Sequence, residues 1–182
     1  MHEGKLPMNS SVMTEFQQLH SETLESLHSR YHTMVLRTAY LILADWGHAE
    51  DVAQEVWMRV NRALVRFDPD RGAWSTWLHH ITVNCCLSTR KRLSRWLGEQ
   101  LRPETEQPQA TTLDNLLRSE EEQVIWNAIG NLSLKLRSVI VLRYFHDLSY
   151  EQIAAILECP IGTVRSRLHT AHAQLRNHLE DV

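Results

Sequence analysis

Two short stretches of the chain are basic with no compensating acid. Residues 88–96 carry Arg90, Lys91, Arg92 and Arg95; residues 160–179 carry Arg165, Arg167 and Arg176 with His169, His172 and His178. Cationic side chains concentrated on one short element are the chemistry of phosphate contact, although the same run also makes an ordinary solvated helix face. In the second stretch, helical spacing turns Ile161, Val164, Leu168, Ala171 and Leu175 to one side. Thr163, Arg165, Ser166, Arg167, His169 and Thr170 then lie on or near the other side, with groups that can reach base edges and phosphates in a major groove. Gly162 leaves the start of this helix uncluttered, so its backbone can approach a phosphate.

The element before it fits that chemistry. Ser149–Leu157 reads as a short helix opened by a capping box, Ser149 with Gln152. Glu158-Cys159-Pro160 is a tight turn, with proline well placed to start the next helix. Ile153, Ala154 and Leu157 would receive Ile161, Val164 and Leu168. The unit has the spacing of a helix-turn-helix, which a plain helical hairpin shares; the bare basic face favours DNA.

Other chemistry is thinly represented. The chain has 11 His and 3 Cys. His79, His80, Cys85 and Cys86 fall on one helix without the tight ligand pairing of a zinc site, and His169, His172 and His178 would hold a metal only weakly. No nucleophile–base constellation or phosphate loop stands out, so the reading is not an enzyme and needs no metal or cofactor.

These residues must be positioned by helices. Leu24, Leu27, Tyr31, Met34, Thr38 and Leu41 form one stripe. Val52, Val56, Val60, Leu64 and Phe67 form a second, and Trp74, Trp77, Leu78, Ile81 and Cys85 a third. Further stripes are Val124, Ile125, Ile129 and Leu132, then Leu136, Val139, Ile140 and Tyr144. Phe67 to Gly72 is a turn-rich loop. No segment alternates with period two for long, so the fold class is all-α: two small helical bundles joined by a flexible acidic linker.

The charge distribution supports the division. Of 19 Lys/Arg and 22 Asp/Glu, residues 98–122 hold 2 and 7, a net −5, whereas 1–97 and 123–182 are each +1. That middle stretch also has Pro103 and Pro108 and, in its first half, few large apolar residues to offset chain entropy. No apolar run reaches the roughly 20 residues of a membrane helix, and the first residues lack the apolar core of a secretory signal. Three cysteines with no framework spacing fit a reducing cytoplasm.

The segments Leu134–Phe145, Leu148–Ala154 and Cys159–Leu168 together resemble region 4 of bacterial sigma-70 factors, most closely the small extracytoplasmic-function (ECF) group that keeps only regions 2 and 4. Ala49–Trp57 resembles region 2.2, and Trp74–Leu78 with Ile81 and Asn84 resembles regions 2.3 and 2.4. Ser133, Ser88, Thr170 and His172 depart from residues common in the family, which bears on promoter preference.

The resemblance implies a division into an N-terminal extension (1–19), region 2 (20–97), linker (98–122) and region 4 (123–182). It implies that Asp51, Gln54 and Glu55, at i, i+3 and i+4 opposite the valine stripe, bind core RNA polymerase at its β′ subunit. It implies that Phe67 and Asn84 capture an unstacked base of the −10 element, with Arg90, Lys91, Arg92 and Arg95 on nearby phosphates. Phe67 can equally be a loop residue tucked into the core. Thr163, Arg165, Ser166, Arg167 and His169 would read the −35 element. The implied partners are core polymerase (β′ and β), promoter DNA and an anti-sigma factor, with no stable homo-oligomer. The competing readings are a stand-alone helix-turn-helix regulator and a metal-responsive interaction protein. A single fused globule, or a last helix with its arginines turned inward, would count against the leading one.

Overall fold

The computed structural model describes residues 24–64, 67–68, 73–97 and 120–180, and every regular element in them is helical. The first bundle consists of α1 (Leu24–Leu43), α2 (Trp46–Ala63) and α3 (Trp74–Leu97). The second consists of α4 (Glu120–Gly130), α5 (Leu134–Ile140), a π-helical turn (Val141–Phe145), α6 (Tyr150–Ile156) and α7 (Ile161–Glu180). The N-terminal extension, most of the Phe67–Gly72 loop and the linker through residue 119 lie outside the described residues.

Local sequence explains where the helices begin. Ala44, at φ 56°, turns the chain out of α1, and Asp45 then caps α2 by accepting from the His48 backbone N–H at 2.7 Å. α2 buries Val52, Val56 and Val60 completely. Ser149 caps α6 with the expected capping box: Ser149 Oγ accepts from Gln152 N at 3.2 Å, and Ser149 N donates to Gln152 Oε1 at 2.8 Å. α7 packs through Val164, Leu168 and Ala171; Ile161, expected to anchor it, is 37% exposed at the rim. Ile125 and Tyr144 also fall outside their expected stripes and are exposed.

The two bundles are not held apart. Besides following one another in the chain as the two expected helical bundles, they pack together, and their buried residues form one contiguous core. α1 shows why: Thr38, Ala39, Tyr40, Leu41 and Ile42 are buried in succession, so the end of this helix is covered on every side. α3 likewise buries His79, Thr82 and Thr89 in addition to Trp74, Leu78 and Cys85.

Polar residues cross this junction. Arg137 of α5 donates to Ile42 O at the end of α1 at 3.0 Å, to Leu132 O at 3.0 Å and to Gly130 O. Its guanidinium thus satisfies orphan carbonyls at the C-terminal ends of two helices, where a cation is favoured. Burial, with Arg90 nearby, lowers its pKa to about 10. The His146 ring lies 4.1 Å from that of His79, and His146 Nε2 is 2.8 Å from Thr38 Oγ1. His80 Nε2 meets Glu158 Oε1 at 3.0 Å.

Candidate nucleic-acid interface

α7 presents its basic face as the periodicity predicts. Arg165, Ser166, His169 and Thr170 are exposed, and Thr163 and Arg167 are half-buried. Two of the small polar side chains are occupied locally: Ser166 Oγ donates to Thr163 O at 3.0 Å and Thr170 Oγ1 to Ser166 O at 3.0 Å. Arg167 leans back along the turn, with Nη1 3.9 Å from Cys159 Sγ. Arg165 is therefore the outward cation nearest the start of the helix. A Cβ built on Gly162 meets nothing within 4 Å, so that end of α7 is open.

The second candidate group lies on α3 and just before it. Phe67 is half-buried and packs its ring 5.1 Å from Trp74, edge-on, and 5.2 Å from Trp77. Trp74 in turn stands 4.9 Å from Trp77 and is itself buried, so it is packing; Trp77 is half-buried. Asn84 follows Trp77 by seven residues, which puts it on the same face about 10 Å along the helix. Its side-chain amide is 3.0 Å from His80 Nε2, the atom that also meets Glu158. One Nε2 cannot accept from an amide N–H while donating to a carboxylate, so the consistent arrangement turns the Asn84 oxygen toward His80 Nε2–H.

The cations follow on α3. Lys91, Arg92 and Arg95 are exposed and Arg90 is half-buried. A cleft of about 710 Å³ opens where α3 passes the start of α5, lined by Leu87, Arg90, Lys91 and Arg95 on one side and Leu134 and Lys135 on the other. Its floor is apolar and its rim cationic. Sequence reasoning missed this cleft because its walls come from different bundles.

On α2, Asp51 and Gln54 are exposed and share a face, as expected. Glu55 is half-buried and pairs with Arg59 at 2.6 Å. Met58, one turn beyond Gln54, is 54% exposed and adds an apolar element to that face. Among the described residues, no three His, Cys, Asp or Glu side chains gather as metal ligands. Cys85 and Cys86 are buried, and burial raises both thiol pKa values, that of Cys85 to about 11. No described helix is long and apolar enough to cross a membrane.

Comparison with known proteins decides the family. Sigma-70 region 2 matches residues 27–96, and Sigma-70, region 4 matches residues 122–175. The chain belongs to the sigma-70 family, in its ECF group. This sigma factor is 32% identical to the ECF RNA polymerase sigma-E factor of Haemophilus influenzae, over 96% of each chain. It is 35% identical to the Escherichia coli K12 ECF sigma-E factor, over 75% of this chain and 76% of the relative. It is 30% identical to the RNA polymerase sigma-H factor of Pseudomonas aeruginosa, over 84% of each. Its fold is similar to the sigma factor RpoE in complex with the anti-sigma factor NepR from Bartonella quintana (TM-score 0.70, 23% identity, 86% of this chain and 96% of that one). It is also similar to CnrH in complex with the cytosolic domain of CnrY (TM-score 0.66, 22% identity, 95% and 99%). As a sigma factor the chain is a transcription-initiation protein and not an enzyme.

Proposed function

We propose that this sigma factor binds core RNA polymerase through the α2 face carrying Asp51, Gln54, Glu55 and Met58, and reads a two-part promoter with α3 and α7. The observation that carries the reading is the outward basic face of α7, set on a capped helix-turn-helix, in a chain matched by both sigma regions. Arg165, Thr163, Ser166, Arg167 and His169 meet the −35 element in the major groove. Phe67 and Asn84 supply an aromatic face and an amide for a base drawn out of the stack. Unstacking costs a few kcal/mol, which stacking and edge contacts offset. Arg90, Lys91, Arg92 and Arg95 hold phosphates beside it. Ile125, Tyr144 and Phe145 leave an apolar surface on the second bundle for a protein partner such as the β subunit.

The apolar-floored, cation-rimmed cleft between the bundles suits an acidic amphipathic helix of an anti-sigma factor, the class of partner that the similar RpoE structure contains. Such a protein works in the cytoplasm.

Transcription reconstituted with core polymerase tests the reading. Promoter-specific transcripts are expected from a library of −35/−10 sequences; their absence, with protection of palindromic duplex by the lone protein, would favour the stand-alone regulator. Arg165→Ala is expected to lose about 1–3 kcal/mol of −35-dependent binding. An unchanged −35 preference removes Arg165 from the reading set.

A further inference from the structure

The contact between the bundles lies on the DNA-reading helix. Asn84, the proposed base-capturing amide, is tied to His80, and His80 to Glu158 in the turn of the helix-turn-helix. The second bundle therefore sits where promoter DNA would enter, and the form described is closed.

We propose that the close ring pair His79–His146 is a pH-sensitive latch, which holds the two bundles closed only while both rings are neutral and releases them on acidification. This rests on the reading of α3 as the DNA-facing helix for its consequence, but the opening itself is independent of DNA.

The hydrogen bonds show why the rings must stay neutral. Thr38 Oγ1 gives its only proton to Met34 O at 2.7 Å, so it can only accept from His146 Nε2–H. Neutral His146 then carries no proton on Nδ1. On the facing ring, His79 Nδ1 is buried with no hydrogen-bond partner. An imidazolium bears N–H on both nitrogens, so charging His79 would place an unsatisfied donor in the junction. Charging both rings would put like charges 4.1 Å apart, centre to centre.

The surrounding charges do not relieve this. Arg37 on α1 is a cation that acts on His146, and Arg137 on α5 is a second buried cation in the junction. Asp147, beside His146, is 97% exposed and turned to Arg143 at 3.7 Å. Glu158 is engaged by His80 in an exposed pair that solvent screens, and it does not reach the two rings. Burial, then His146, lowers His79 from the ordinary 6.5 to about 3. Burial, then Arg37, lowers His146 from 6.5 to about 4. The open form takes up protons as pH falls through 6.5, whereas the closed form refuses them until far lower. Closure is at full strength above pH 6.5 and weakens below it. The shift is up to about tenfold per pH unit for each ring, hence about a hundredfold for both.

Small-angle scattering and hydrogen exchange of the full chain, from pH 7.5 to 4.5, test this with far-UV circular dichroism as a check on helicity. The expected result is an increase in radius of gyration and faster exchange in the second half of α1 and in α5 below pH 6.5, with helicity retained. His146→Gln keeps a donor for Thr38 but cannot titrate; alone, and combined with His79→Phe, it should move the opening to lower pH, further in the double variant. Opening at the same pH in both variants, no opening of the wild type, or expansion only with loss of helicity would each overturn the latch.

Discussion

Arg137 shows how one residue can join two bundles without an apolar contact. Its guanidinium faces three carbonyls: Ile42 and Gly130 at the C-terminal ends of α1 and α4, and Leu132 in the turn that follows α4. The strength of these bonds is offset in part by the cost of burying the cation, visible in its lowered pKa of about 10. Each charge-assisted bond contributes about 1.5–3 kcal/mol before that offset, so Arg137→Ala is expected to destabilise the protein by about 2–4 kcal/mol. A urea titration would show it as a lower midpoint. Arg137→Lys should recover only part of the loss, because one ammonium cannot span three acceptors held in a fork. The sequence places Arg137 inside a helical stripe as a polar interruption. Nothing in its spacing says that it points inward, since its acceptors belong to other elements.

The elements themselves were largely legible. The valine stripe of α2, the capping box at Ser149 and the turn before α7 follow from spacing and local hydrogen bonding, and both need only neighbours within a few residues. α1 was read less well. Its expected stripe omits Val35, Ala39, Tyr40 and Ile42, all buried, because a one-sided pattern does not describe the end of a helix that is covered on every side. The same helical logic gives a test at Gly162. Its added Cβ meets no atom within 4 Å, and glycine costs a helix up to about 1 kcal/mol relative to alanine. Gly162→Ala should therefore leave stability unchanged or raise it by a few tenths of a kcal/mol on the same scale. If backbone at this end of α7 approaches a phosphate, the same substitution should weaken −35 duplex binding in a fluorescence titration. Unchanged binding would leave the glycine a helix residue and nothing more.

At the scale of the whole molecule, two bundles share one core, and this is the feature the sequence hid most thoroughly. The junction relies on His79, Arg137 and His146, residue types that patterning assigns to the surface, meeting Thr38 of the α1 stripe. The arginines of α7 still face outward or half outward, so the merging of the cores leaves the basic face of α7 open to solvent even as it covers part of α3. A contiguous core couples the bundles energetically, and small domains coupled this way unfold in one step. The tryptophans make that measurable: of 6, only Trp126 belongs to the second bundle, so fluorescence reports mainly the first, whereas circular dichroism reports helices of both. At pH 7.5 the two signals should trace a single coincident urea transition. In Arg137→Ala, which severs the link from α5 to the end of α1, the curves should separate, one bundle melting before the other. Coincident curves in the variant would mean that apolar contacts alone couple the bundles, and that the guanidinium adds stability without joining them.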